Sequence, residues 1–374
     1  MNKKILQISN DFADQKIYIN LVKSLSKKGF KQVVYVPVKK QNKIDGNRDD
    51  SVDNVDYCFS FILKTNILFR LRYYKKIKLI LNDIESKIDL DKIDIVHSHF
   101  LFSDGGVAYL LKKKYGIPYV VSVRASDIFT FFNKMLHLRK FGNEIMKEAS
   151  QVIFINHSYI NIFKKKYLCK GFEDVLQKIT IIPNAIDQKW LTSKPVFIEI
   201  SNTIKLLYVG RIIKRKKLDV VIKAVNRLNE REQGLNVTLD VVGNGDFLNK
   251  VKELANENII FHGSITSHEK LMKVYSKCHV FVMPSIKETF GLVYIEALSQ
   301  GLPIIYCENE GVDGFFQDVK VGYSVRANSI EDVCDRVLDV RQNYQKLSKN
   351  ARQSSMNFNW NEITEKYITA YSNA

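Results

Sequence analysis

The chain is poor in the features that staple, anchor or metallate a protein. Its five cysteines (Cys58, Cys169, Cys278, Cys307, Cys334) stand far apart, with no Cys-x-x-Cys and no paired metal-ligand spacing. That pattern excludes a disulfide framework and a zinc site, and leaves reduced thiols. Six prolines and 17 glycines in 374 residues are too few for a collagen-like or low-complexity chain. No apolar run approaches the roughly 20 residues that span a bilayer. The opening stretch, with Ile5-Leu6-Gln7-Ile8, reads as a short strand and not as a leader with a cleavage site. There is no convincing Asp-x-Asp metal pair. These absences predict a cytoplasmic protein with no metal and no cofactor.

What is present describes a large globular chain. It is 45% hydrophobic and 11% aromatic, and too long for one ordinary core, so two domains are expected. The formal net charge of +17 is unevenly spread: residues 1–190 hold 33 Lys and Arg against 19 Asp and Glu. An anionic partner for that half is implied, whether a membrane surface, a nucleic acid or a phosphorylated substrate.

Short β-branched runs alternate with helical stretches throughout. Strands are expected at 5–9, 32–36, 93–97, 119–123, 152–155 and 179–182, with helices at 15–28 and 104–115. A second series begins with strand 205–209 and helix 218–229. It continues through strands 237–242, 259–261, 280–283 and 303–306, with helices at 268–277 and 293–300. Continuous apolar strands between helices indicate parallel sheets covered on both faces. The fold class is therefore α/β: two doubly wound, Rossmann-like domains facing across a cleft, with ligands at the strands' C-terminal ends. The expected boundaries are 1–187 for the first domain, 188–202 for a linker and 203–360 for the second. A last helix at about 361–374 is expected to pack back on the first domain.

In the second half, Gly210-Arg211 follows a strand, and Arg211 and Lys216 flank the loop before the next helix. A guanidinium fork and a lysine point charge suit a diphosphate. The alternative is that 214–217 is only a solvated basic turn. Gly243-Asn244-Gly245 follows another strand; it is either a tight turn near a ligand or a plain strand exit. The most informative segment runs from Met283 through Glu288, Gly291, Leu292 and Val293 to Glu296. The free N–H groups of a helix starting near Gly291–Val293 would take a phosphate. A carboxylate at each end would accept hydrogen bonds from sugar hydroxyls. Taken singly, Glu288 is also explained as a helix N-terminal charge and Glu296 as a surface carboxylate.

On these residues the chain resembles the retaining GT-B glycosyltransferases of family four over nearly its whole length. The matching elements are Gly210-Arg211 with Lys216, Val242-Gly243-Asn244-Gly245, Phe261-His262-Gly263, Pro284-Ser285 and the Glu288-x7-Glu296 pair. The first half adds His97-Ser98-His99-Phe100, Ser126-Asp127 and Ile182-Pro183-Asn184-Ala185-Ile186-Asp187. The resemblance implies that Arg211 and Lys216 bind the donor diphosphate, Glu296 the ribose and Glu288 the transferred sugar. It places backbone near His262–Ser264 against the base, with UDP preferred over GDP. It also implies retention of configuration and a glycan or polyprenyl-linked acceptor, as in cell-surface polysaccharide synthesis.

Two departures from the family pattern stand on the acceptor side. Arg124 occupies the usual histidine position in Arg124-Ala125-Ser126-Asp127. An arginine cannot shuttle protons, so an electrostatic role is expected for it, with Asp127 orienting substrate or Arg124. A structural salt bridge between the two is the alternative. The first loop, Ser9-Asn10-Asp11-Phe12-Ala13, lacks the glycines common in relatives; Asn10 and His99 remain as acceptor-side candidates. Lys217 replaces a glycine that often follows the phosphate-binding lysine.

Residues 64–78 contain six basic residues and no acid, with Ile67, Leu71 and Tyr74 on one helical face. Residues 129–141 repeat the aromatic-plus-basic theme. Both predict docking on an anionic membrane, peripheral on the inner face of the cell membrane; ordinary amphipathic helices covering the sheet are the alternative. Competing functions are a sugar-nucleotide epimerase of the same architecture, a nicotinamide oxidoreductase and a nucleic-acid-binding protein. No full Gly-x-Gly-x-x-Gly turn supports the oxidoreductase. No RRM, KH or helix-turn-helix pattern supports the nucleic-acid binder, and no nucleic-acid partner is expected.

Overall fold

The structure, a computed structural model, describes residues 3–63, 72–193, 195 and 198–374. Its contacts divide the chain into two compact units. The first comprises Met1–Ile155, Tyr159–Asn184 and Trp360–Ala374; the second comprises Asn156–Ser158 and Ala185–Asn359.

The first unit is built on strands β1 (Lys4–Ile8), β2 (Lys31–Pro37), β3 (Val55–Ser60), β4 (Ile95–Ser98), β5 (Tyr119–Val123), β6 (Gln151–Phe154) and β7 (Ile179–Ile181). All pair in parallel, in the order β3-β2-β1-β4-β5-β6-β7. Every residue of β5 is buried, as a central strand covered on both faces requires. Leu6, Ile8, Val96 and Val121 pack with Tyr73, Ile77, Val107 and Leu111 in one apolar cluster; Val34 and Val36 pack with Tyr18 and Val22 in another. Helix Gly105–Tyr115 stops at Gly116, whose φ of +73° is the left-handed conformation that glycine adopts at least cost. The chain moves outward from β1 to β3, then returns to place β4 beside β1. The order therefore reverses between β1 and β4, where doubly wound sheets open their ligand crevice.

Helix Trp360–Ser372 belongs to this unit, although the preceding helix Ile330–Ser355 lies in the core of the second. Thr364 Oγ1 donates to Ser24 Oγ at 2.7 Å, and the Tyr371 hydroxyl meets His97 Nδ1 at 2.8 Å.

The second unit repeats the plan with β8 (Thr203–Val209), β9 (Asn236–Val242), β10 (Ile259–Gly263), β11 (Val280–Met283), β12 (Ile304–Cys307) and β13 (Gly322–Val325). These are parallel in the order β10-β9-β8-β11-β12-β13, so here the reversal lies between β8 and β11. Part of the expected linker 188–202 is ordered core: helix Gln188–Thr192 buries Trp190 and Leu191, with the Trp190 ring 5.1 Å from that of Tyr275.

The expected amphipathic segment 64–78 falls largely outside the described residues; its last part opens helix Tyr73–Lys87. In segment 129–141 Phe132 is fully buried, and Phe129, Phe131 and Phe141 pack on the core, so the rings there serve mainly the fold.

Candidate active site

The residues expected to hold a donor gather at the β8/β11 reversal. Arg211 lies in the loop leaving β8, and its exposed guanidinium makes no ion pair among the described residues. Lys216 ends the turn Lys214–Lys216, and Lys217 follows at φ +58°. That is the left-handed region, which accounts physically for a glycine at this position in relatives. The turn is not merely solvated. Ile286 N donates to Arg215 O at 2.9 Å, and Arg215 Nη1 returns a bond to Lys287 O at 3.3 Å, docking the β8 loop on the β11 loop.

Glu288 is buried and paired with the Lys216 ammonium. Helix Leu292–Ser299 begins after Gly291, whose φ is +78°; a Cβ there would meet the Tyr294 ring at 2.5 Å. Glycine is thus required at the helix entrance, and the open N–H groups follow at Leu292 and Val293. Glu296 sits one helical turn further along, half-buried. Burial, and then the charge of Asp187, pushes its carboxyl up to about 7.

The Gly243-Asn244-Gly245 turn braces these loops. A Cβ on Gly243 would lie 1.9 Å from Gly210 O, and one on Gly245 2.2 Å from Ile212 O. Ile212 N donates to Asn244 O at 2.9 Å. The glycines are needed because backbone meets backbone, which makes the turn more than a plain strand exit. Beyond it, Gly243 N donates to Gly263 O at 2.8 Å, and exposed His262 meets Asp240 Oδ1 at 2.5 Å.

In the first unit, Asn10, His99, Arg124 and Asp127 cluster at the C-terminal ends of β1, β4 and β5. Arg124 is buried: Nε donates to His99 O and Nη1 to Asn184 Oδ1, both at 3.3 Å, and the guanidinium lies 5.8 Å from the Tyr18 ring centre. No ion pair joins it to Asp127. That carboxylate instead accepts backbone N–H groups from Arg124 at 2.9 Å and from Leu101 and Phe102 at 3.1 Å. Burial still raises Asp127 to about 6.

His99 is held in one tautomer by a relay. Gln32 Nε2 donates to Val22 O at 2.9 Å, so Gln32 Oε1 accepts from Gln7 Nε2 at 3.0 Å. Gln7 Oε1 must then accept from His99 Nε2–H at 2.7 Å, which leaves Nδ1 as a buried lone pair without a partner. Burial holds His99 well below the usual imidazole range and His97 at about 3. Asn10 Nδ2 donates to Asp104 Oδ1 at 3.2 Å, while Asp104 Oδ2 and Ser9 Oγ are buried without partners.

The chain matches the family model described as glycosyl transferases group 1 over residues 193–354, and that of glycosyltransferase family 4 over residues 16–190. The chain belongs to the group 1, family 4 glycosyltransferases. It is 25% identical over 371 residues to alpha-monoglucosyldiacylglycerol synthase of Acholeplasma laidlawii, covering 90% of this chain and 87% of that one. The fold of this glycosyltransferase is also that of sucrose-phosphate synthase from Thermosynechococcus elongatus (TM-score 0.75, 18% identity, 99% and 98% of the two chains). An Anabaena protein, HepE, solved in complex with UDP and glucose, is similar at a TM-score of 0.68 (14% identity, 99% and 100%). The fold is accordingly GT-B and the chain is a transferase, so the epimerase and oxidoreductase alternatives fall away.

Three neighbours of the glycosyltransferase's Glu288–Glu296 element carried no signal in the sequence. Glu310 Oε2 accepts the Glu288 N–H at 2.9 Å, Asn156 Nδ2 donates to Thr289 O, and Asp187 bears on Glu296. Only Asp187 stood inside a recognised motif, and there as sequence likeness without a role.

Proposed function

We propose that this glycosyltransferase transfers a hexose from a UDP-sugar, with retention of configuration and without a metal, to a glycan or lipid-linked acceptor in cell-surface glycoconjugate synthesis. The observation that carries the reading is the convergence of Arg211, Lys216, the Leu292–Ser299 helix entrance and the two carboxylates Glu288 and Glu296 at one sheet reversal. Cleavage of a sugar–diphosphate bond builds negative charge on the leaving phosphate. Arg211, Lys216 and the N–H groups of Leu292 and Val293 would meet that charge as it develops. Lys216 exchanges Glu288 for the diphosphate, and the released carboxylate accepts hydroxyls of the transferred sugar. Glu296, once ionised, accepts the ribose hydroxyls. The backbone near His262, Gly263 and Ser264 would border the base.

In the first unit, Asn10 and His99 would hold the acceptor. Arg124 would supply a fixed positive charge there, its backbone set by Asp127. The acceptor's hydroxyl attacks on the face the leaving group departs from, and the leaving phosphate takes its proton. UDP as the donor nucleotide is supported by the Anabaena neighbour's ligand, and a lipid acceptor by the name of the Acholeplasma relative.

A screen of UDP- and GDP-sugars by thermal shift, followed by transfer assays with and without chelator, tests the reading. Stabilisation by a UDP-sugar and an axial product linkage from an axial donor are expected. A folded Lys216→Ala variant with wild-type turnover would overturn the donor-site assignment.

A further inference from the structure

The C-terminal ends of helices Gln188–Thr192 and Leu292–Ser299 meet at one side chain of the second unit. Arg352, on helix Ile330–Ser355, donates through Nη2 to Leu191 O at 2.6 Å and to Ser193 O at 3.0 Å. Its Nη1 donates to Ser299 O at 2.5 Å and to Trp190 O at 3.4 Å. A helix leaves its last carbonyls without intrahelical partners, and a planar guanidinium fork can take several of them at once. Gln300 strengthens the same junction, with Nε2 donating to Trp190 O at 3.1 Å and to Ser193 Oγ at 2.8 Å. No carboxylate among the described residues bears on Arg352; burial alone acts on its charge. Its hydrogen bonds therefore go to the two helix ends and not to an acid.

What the two helices carry gives this junction a consequence at the donor end of the unit. Glu296 shares the last turn of its helix with Ser299, whose Oγ donates to Glu296 O at 2.6 Å. Asp187 caps the start of the other helix, where it accepts Lys189 N at 3.0 Å, and its charge bears on the Glu296 carboxyl. The two helices pack directly on each other. Like charges repel, so the Asp187–Glu296 spacing has to be imposed by other contacts, and the cation joining the helix ends imposes it. We propose that Arg352 is a positioning residue for the donor site, fixing the last turn of the Glu296 helix so that the carboxylate stands where it meets the ribose hydroxyls. The inference rests on the reading of Glu296 as the ribose acceptor.

Calorimetry with UDP at a pH of about 8, where Glu296 is ionised, tests this on wild type, Arg352→Ala, Glu296→Gln and the double variant. Arg352→Ala should weaken UDP binding about 10-fold in the wild-type background, on the scale of a lost charge-assisted hydrogen bond. In the Glu296→Gln background the same change should cost less than about 2-fold, because the carboxylate that Arg352 places is already gone. Arg352→Lys keeps the charge but not the planar fork, and should fall between wild type and the alanine variant. In transfer assays the loss should appear in the KM for the donor, with the KM for the acceptor unchanged. A folded Arg352→Ala protein that bound UDP like wild type would overturn the proposal. So would an equal loss in both backgrounds, which is the mark of a purely structural role. If the alanine variant does not fold, Arg352→Lys in the same two backgrounds decides the matter on the same terms. Glu296→Gln binding UDP as tightly as wild type would instead sink the ribose reading, and this inference with it.

Discussion

The carboxylate of Glu310 accepts the backbone N–H of Glu288 at 2.9 Å, and so fixes the loop that presents Glu288 to Lys216. The next residue, Gly311, has no room for a side chain: a Cβ would lie 2.9 Å from Glu288 Cγ. Burial raises the Glu310 carboxyl above the ordinary range, opposed by the bonds it accepts from Lys287 and Glu288. Glu310→Ala should therefore loosen the loop and lower kcat/KM for the donor by about 10-fold or more, on the scale of a lost charge-assisted hydrogen bond. Glu310→Gln keeps an acceptor oxygen and should recover most of that loss. It should also shed part of the wild-type decline at acid pH, because it has no proton to gain. Steady-state kinetics across pH decide the matter; equal activity in the alanine variant would rule the role out.

The Lys216–Glu288 pair is largely out of water, so removing one partner strands the other. Lys216→Ala should destabilise the fold by about 3 kcal/mol, the usual cost of an uncompensated buried charge. Lys216→Met/Glu288→Gln should be closer to wild type in urea melts while remaining inactive in transfer. Non-additivity of that kind separates the electrostatic cost from the chemistry. If the double variant were as unstable as the sum of the singles, the pair would not be coupled.

Glu296 would give the proposed donor site a pH dependence of definite sign. Its folded value, about 7, lies above the unfolded value of 4.5. The fold is therefore favoured while the carboxyl is protonated, and loses that stability as pH rises from about 4.5 through 7. Glu296→Gln should melt at higher temperature than wild type at pH 8 and like wild type at pH 4. The ionised form is the better acceptor for two ribose hydroxyls. Wild-type affinity for UDP should accordingly rise through pH 7, and the variant should bind roughly 10-fold more weakly at pH 8. Calorimetry with UDP at several pH values would show a flat profile if Glu296 did not meet the nucleotide.

The switch point of the first unit stores unpaired polarity, which predicts a trade of stability against function. Ser9 Oγ is buried without a partner beside β4. Ser9→Ala removes an unsatisfied hydroxyl and should raise stability by about 1 kcal/mol. If the acceptor seats at this end of the sheet, the same change should raise its KM while leaving donor binding alone. A Ser9→Ala protein that is less stable than wild type would show that the hydroxyl has a partner after all.

The alternation of β-branched runs and helices was enough to read most of both sheets, because central parallel strands such as Tyr119–Val123 are apolar throughout. The misses lie at the edges. Strand Val55–Ser60 is half-exposed and carries Asp56, and Gly322–Val325 is four residues long and opens with glycine, so neither has a buried strand's pattern. Trp190 and Leu191 lie in a helix of five residues, too short to show a period, so their sequence reads as linker. At the candidate site, residues close together in sequence, such as Arg211 and Lys216 or the spaced pair Glu288 and Glu296, can be picked out from type and spacing alone. Contacts between distant loops cannot. Nothing in Cys307-Glu308-Asn309-Glu310 signals that Glu310 will hold the Glu288 backbone, and nothing at Asp127 says that its carboxylate will be taken up by the N–H groups of Leu101 and Phe102.

Gly243 and Gly263, adjacent across β9 and β10, should respond to alanine in opposite degree. At Gly263 the only obstacle is its φ of +68°, with no atom within 4 Å of a new Cβ. Left-handed strain of about 1 kcal/mol is the expected cost, and donor binding should weaken only as far as the added methyl crowds the base. At Gly243 the Cβ would stand 1.9 Å from Gly210 O. That carbonyl belongs to the loop presenting Arg211, and backbone cannot rotate aside as a side chain would. Gly243→Ala should therefore cost about 3 kcal/mol or more, or push the Arg211 loop away and weaken donor binding at near-normal stability. Melting curves with and without a UDP-sugar distinguish the two outcomes. A Gly243→Ala protein matching Gly263→Ala in both measurements would mean that the Gly210 and Gly243 loops do not pack as described.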